Sequence, residues 1–80
     1  QKIVLSFTPF EARYIKSLPL HHSQQIIKEN EQETRFQYYL SPTYDFIQEI
    51  LSYGDQVKVQ EPAPLVQEIK RRLQNSLNNY

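Results

Sequence analysis

Two hydrophobic periods alternate along the chain, and their order predicts an α+β fold. Stretches of period two occur four times, and helical stripes at i, i+3, i+4 interrupt them in the order βαββαβ, with one more helix at the C-terminal end. Two hydroxyl-Pro capping signals and a single glycine punctuate that order. With short connections and right-handed crossovers, the two halves close into a four-stranded antiparallel sheet with two helices on one face. This is a ferredoxin-like sandwich carrying an additional C-terminal helix. Its 80 residues hold one core and leave no room for a second, so residues 1–80 form a single domain.

Ile3, Leu5 and Phe7 alternate with Lys2, Val4, Ser6 and Thr8, which is a strand with one apolar face. Thr8-Pro9-Phe10-Glu11 follows: a hydroxyl cap, Pro at the first helical position, and Glu11 placed to reach back to the Thr8 amide. The helix turns Ala12, Ile15 and Leu18 inward with Tyr14 at the flank, points Glu11, Arg13 and Lys16 outward, and stops at Pro19. Gln24 to Glu29 and Thr34 to Leu40 read as a hairpin around the polar Asn30-Glu31-Gln32-Glu33. No Asn-Gly or Asp-Gly pair is present, so a longer loop is expected and the register stays open. Phe36, Tyr38 and Leu40 share the core face, and Arg35, Gln37 and Tyr39 the other.

Ser41-Pro42 repeats the cap signal, and Phe46, Ile47, Ile50 and Leu51 form the next buried stripe. The only glycine, Gly54, stands just past it, where a left-handed cap is needed and a β-branched residue would be strongly destabilising. Gln56 to Gln60 is the fourth strand, with Val57 and Val59 inward, closed by Glu61-Pro62. The last helix runs from about Pro64, with Leu65, Ile69, Leu73 and Leu77 repeating every four residues. The basic βαββαβ plan offers this helix no seat.

Composition removes several classes of function. There is no Cys, so thiolate zinc sites, disulfides and cysteine nucleophiles are excluded. One glycine builds no phosphate loop. Nine basic and nine acidic side chains cancel, so any nucleic-acid contact must come from a local patch. No apolar run is long enough to span a bilayer. The missing initiator Met and the short, alternating N-terminus point to a piece of a larger cytoplasmic protein.

Side chains with chemistry are few. His21-His22 is the only imidazole pair, and neighbours in an extended chain point apart, so His21 is expected to anchor its loop by a hydrogen bond and His22 to be solvated. Asp45 and Glu49 lie four apart on one helix, a spacing that a solvated face explains. An acylphosphatase would need an anion-binding loop after the first strand, and Thr8-Pro9 supplies neither Arg nor Gly. No enzyme activity, cofactor or metal is expected. RNA-binding sandwiches stack bases on aromatics of the open sheet face, where only Tyr39 is available here. Lys70-Arg71-Arg72 is the one basic run, and a solvated helix side accounts for it.

Several short pieces occur in a set order: Val4-Leu5-Ser6-Phe7, Ala12 with Tyr14-Ile15, Leu20-His21-His22-Ser23-Gln24, Ile50-Leu51-Ser52-Tyr53-Gly54, Val57-Lys58-Val59, and Glu61-Pro62 before Leu65. Together they resemble the WCX domain, the C-terminal extension that follows the WYL domain in bacterial transcription regulators. The resemblance spans essentially the whole chain. It implies a ferredoxin-like fold and a parent protein with an N-terminal helix-turn-helix that binds DNA and a central WYL barrel. It further implies a non-enzymatic, regulatory role in dimerisation and effector sensing, the effector being single-stranded DNA in some members. For such an effector the candidate contacts are Arg13 and Lys16 on the first helix, His21 in the loop, and Arg35 and Lys58 on the open face, with Tyr39 as a stacking plane. A homodimer contact is expected at Leu73 and Leu77, rimmed by Lys70, Arg71 and Arg72. The alternative is a ferredoxin-like module for a small-molecule effector.

Overall fold

The computed structural model describes all 80 residues. In chain order the elements are β1 (Lys2–Phe7), α1 (Pro9–Ser17), β2 (Gln25–Glu29), β3 (Thr34–Tyr39), α2 (Tyr44–Ser52), β4 (Val57–Glu61) and α3 (Ala63–Asn78), with one 3-10 turn at Gly54–Gln56. The four strands form one antiparallel sheet in the order β2-β3-β1-β4. Ile3, Leu5 and Phe7 of β1 and Phe36 and Tyr38 of β3 meet Ala12 and Ile15 of α1, Ile50 of α2, and Leu65 and Ile69 of α3 in a single core. Phe7 stands edge-on to both Phe36 and Tyr53, with ring centroids 5.8 and 5.3 Å away.

Local signals set most boundaries, and tertiary partners adjusted some of them. Thr8 caps α1 by accepting from the Glu11 amide at 3.3 Å. Its own amide, however, donates to the Gln56 carbonyl at 3.0 Å, so the expected return bond from the Glu11 side chain is replaced by a link to the chain before β4. The second cap is Thr43, not Ser41: Thr43 Oγ1 accepts from the Phe46 amide at 3.2 Å. The Leu40 amide donates to the Gln1 carbonyl at 3.0 Å and prolongs the β1–β3 pairing, and Pro42 disfavours helical backbone at Ser41. Leu18, expected inward, is exposed, because α1 ends one residue earlier and Leu18 leaves the helical conformation. Gly54 has φ +58°, the left-handed conformation expected of it. The Glu61-Pro62 peptide bond is cis.

Two bulges tune the sheet. In β2, Ile26 pairs with Phe36 and Lys28 with Arg35, so Ile27 is the extra residue. Paired residues share a face, so Ile26 lies on the helix side while Lys28 joins Arg35 on the open side. In β4 the extra residue is Gln60, between the Val59 and Glu61 pairs. Contrary to the sequence expectation, α3 does have a seat: it lies against β4 and touches α2, and its first half completes the core. Exposure along its stripe runs 5% at Leu65, 8% at Ile69, 50% at Leu73 and 65% at Leu77, so the second half is uncovered.

Candidate functional site

The open sheet face is built around a row in which Arg35, Ser6 and Lys58 are register partners on β3, β1 and β4. Glu33, at the end of the hairpin loop, turns onto this row. Ser6 Oγ donates to Glu33 Oε1 at 2.8 Å, and Arg35 grips the same carboxylate through Nε at 2.6 Å and Nη2 at 3.2 Å. Lys28 Nζ adds a longer ion pair at 3.7 Å. The bonds from Arg35 first and Ser6 second hold the Glu33 carboxyl down to about 2. Arg35 is therefore largely committed, and a phosphate would have to compete with Glu33 for it, whereas Lys58 has no acidic partner.

The other expected contacts are spread over the molecule. Arg13 lies on α1 with its guanidinium 5.4 Å from the centre of the Phe10 ring. Lys16 is paired with Glu29 across α1 and β2, and that bond lowers the Glu29 carboxyl. Tyr39 is exposed at the opposite end of β3 from Arg35, opposite Lys2 in register. His21 lines the same cleft as Tyr39. The fold thus brings Arg35 together with Lys58, and His21 together with Tyr39, but does not join the two pairs or reach Arg13 and Lys16.

His21 anchors its turn as expected. The Ser23 amide donates to Nδ1 at 3.1 Å, with Ser23 Oγ 2.7 Å from the same atom, so the neutral ring carries its proton on Nε2. The expectation that the two imidazoles point apart is overturned: the turn closed by the Gln24 amide on the His21 carbonyl stacks the rings at 4.1 Å. Asp45 and Glu49 of α2 line the far side of this cleft, which encloses about 660 Å³. No three His, Asp or Glu side chains gather closely enough to hold a metal ion.

A family model, the WCX domain, matches residues 1–77 of the chain. The chain belongs to the WCX family. No curated protein matches it. This WCX domain uses its Leu20-His21-His22-Ser23-Gln24 segment to tie elements together. Gln24 Oε1 accepts from the Leu20 amide at 3.2 Å and from the Tyr38 hydroxyl, and Gln24 Nε2 donates to the Ile15 carbonyl at 3.1 Å in the last turn of α1. Ser23 Oγ accepts from the Tyr39 amide at 2.9 Å. Burial drives the Tyr38 hydroxyl well above its ordinary range, so it stays a neutral donor. Sequence reasoning placed Tyr38 on the core face and Gln24 among the WCX-like pieces at the start of a strand, but did not join them, because fourteen residues separate the two partners.

The WCX domain's C-terminal helix carries its basic run on a largely solvated side, as expected, with Lys70 and Arg71 exposed and Arg72 half-buried. Glu68 accepts from Arg71 (3.1 and 2.7 Å) and from Arg72 (2.7 Å), which holds its carboxyl at about 2. Arg72 also lies 5.5 Å from the centre of the Tyr44 ring and so fastens α3 to the start of α2. Of the three cations only Lys70 has no acidic partner. No helix is long and apolar enough to cross a membrane.

Proposed function

We propose that the chain is the regulatory, non-enzymatic domain at the C-terminal end of a cytoplasmic WYL-type bacterial transcription regulator, where it contributes to dimerisation and effector sensing. The observation that carries this is the WCX match over residues 1–77. The order β2-β3-β1-β4, with β1 and β3 central, supports placing the fold among ferredoxin-like sandwiches. In the parent protein DNA binding falls to the helix-turn-helix, and this domain biases it through the barrel. Dimerisation is supported by α3, whose apolar stripe continues past the core into the exposed Leu73 and Leu77. The effector reading is a single strand laid along the open face, with a base on Tyr39 and phosphates at Lys2 and Lys58.

Two measurements test the halves separately. Light scattering after size exclusion should show a dimer that Leu73→Glu/Leu77→Glu converts to a folded monomer; a monomeric wild type overturns the contact. Anisotropy of a labelled oligo-dT should fall about tenfold in affinity on Tyr39→Ala, and Lys58→Ala should flatten the salt dependence. Arg35→Ala should matter less, because Glu33 already holds that guanidinium. A wild type that does not bind the strand removes the nucleic-acid effector. A second reading, a small-molecule effector, is favoured by an apolar cleft beside β4.

A further inference from the structure

Phe10, Tyr14 and Leu18 follow one another every four residues along α1, and all three are more than half exposed. The first two rings meet edge-on with centroids 5.6 Å apart, and Tyr14 and Leu18 form one wall of a groove between α1 and α2 that encloses about 380 Å³. Nothing in the chain covers this stripe, although Ala12 and Ile15 on the neighbouring face of the same helix are buried in the core. The charges lining the groove have one sign. Glu11 of α1 and Glu49 of α2 line it, and Asp45, one turn before Glu49, borders the His21 cleft, which shares Leu20 and Glu49 with the groove. Glu29, Glu33 and Glu68 have ion-pair partners, whereas Glu11, Asp45 and Glu49 have none, and no Lys or Arg lines either cleft. The two cations of α1 are held elsewhere, Arg13 over the Phe10 ring and Lys16 by Glu29. Both groove carboxylates act on one hydroxyl: burial first, then Glu49 and Glu11, push Tyr53 up to about 12.

Covering the stripe removes apolar area from water, and the charge at its edge selects what can cover it. Uncompensated carboxylates repel nucleic acid, an anionic bilayer and acidic peptides, and they favour a partner that brings ammonium or guanidinium groups beside its apolar ones. From Phe10 to Leu18 the stripe runs about 12 Å along α1, the length of two turns of a helix laid beside it. We propose that the groove between α1 and α2 docks an amphipathic helix of another protein, its apolar face on Tyr14 and Leu18 and the Lys or Arg residues at its edge facing Glu11 and Glu49. This site takes a protein partner and stands apart from the readings above: it lies on the helix side of the sheet, and neither the single strand on the open face nor the Leu73 and Leu77 contact uses it.

The test is a titration of the nitrogen-15-labelled chain with a synthetic helix of about four turns, Leu along one face and Lys at the flanking positions, followed by amide NMR shifts. Two control helices keep the leucines and carry Gln or Glu in place of every Lys, and a third keeps the lysines and carries Ala in place of every Leu. The Lys helix should shift Glu11, Tyr14, Leu18, Glu49 and Tyr53 together, the Gln helix should bind about fivefold more weakly, and the Glu and Ala helices should leave these amides unmoved. Glu11→Gln/Glu49→Gln removes carboxylates that no cation holds, so the spectrum should stay dispersed while the Lys helix loses its advantage over the Gln helix. Leu18→Ser alters an exposed side chain and should weaken both helices alike. Failure of the Lys helix to shift these amides overturns the proposal, as does equal affinity for the Lys and Gln helices, or a preference for Lys that survives the double variant. Concentration-dependent shifts at Tyr14 and Leu18 without any helix would mean that a second copy fills the groove, and would also overturn it. Neither the oligonucleotide experiment nor the Leu73→Glu/Leu77→Glu variant touches α1 or α2, so their failure leaves this outcome unaffected.

Discussion

On the helix side of β1, Ile3, Leu5 and Phe7 are covered by apolar side chains from three helices, whereas on the opposite side Val4 and Ser6 lie between the long polar side chains of neighbouring strands. Both sets are buried, Val4 to 3% exposure and Ser6 to 9%. The first set owes its burial to removal of apolar area from water, which is insensitive to salt and pH. The second is sealed by Gln37 and Glu61 in register with Val4, and by the Arg35–Glu33–Lys28 cluster over Ser6. Burial of a β1 residue therefore says nothing by itself about what covers it, and the two sides should fail under different conditions.

The largest difference should come from the helix side. Phe36→Ala removes a fully buried ring that touches Phe7, a loss of about 3–5 kcal/mol. A domain of this size has only several kcal/mol in total, so far-ultraviolet circular dichroism at 25 °C should show a largely unfolded chain. Next is the rim of the same layer, where Gln24→Ala strands the Tyr38 hydroxyl and the Ile15 carbonyl. That should cost about 1–3 kcal/mol in urea unfolding, and water reaching both groups would shrink it toward zero.

Gly54 gives a smaller and purely conformational effect. A Cβ added there meets nothing within 4 Å, so only the positive φ opposes substitution. Gly54→Ala should cost about 1 kcal/mol and Gly54→Val about 2, or roughly 4–8 °C in melting temperature per kcal/mol. That is milder than the sequence-based expectation of strong destabilisation, and an unchanged melting temperature would show that the turn readjusts.

The smallest effect belongs to the open face. Glu33→Gln should lower the melting temperature slightly at neutral pH and low salt, and less in high salt. The folded Glu33 titrates near 2, below its ordinary 4.5, because Arg35 and Ser6 bond its carboxylate. Its contribution is thus complete above about pH 4.5 and is lost as pH falls from there toward 2. The gap between wild type and variant should close across that window, while a gap that persists in acid would show that the carboxylate's charge is not what seals Ser6.

Much of this was legible beforehand where the cause lies within a few residues. The alternation of Ile3, Leu5 and Phe7, the Thr8-Pro9 cap and the left-handed Gly54 are short-range consequences of pleat, missing amide and missing Cβ, and all three stand. The same logic misplaced the second cap at Ser41, because the pairing of Leu40 with Gln1 is invisible from Ser41-Pro42 alone. Among the candidate contacts, the residue types suited phosphate binding, but nothing in the spacing announced that Glu33 would hold Arg35 or Glu29 hold Lys16.

By itself, then, the sequence determined the kind and order of the elements, because hydrophobic period and capping act locally on the backbone. It also determined family membership, through the ordered pieces from Val4 to Leu65. Tertiary structure alone decided which polar side chains found partners across the fold. Gln24 reaches Tyr38 from fourteen residues away, and Ser6 reaches Glu33 from twenty-seven. It also divided the α3 stripe into a buried Leu65 and Ile69 and an exposed Leu73 and Leu77. Such meetings depend on strand order and helix seating, which place together residues that no short-range rule connects.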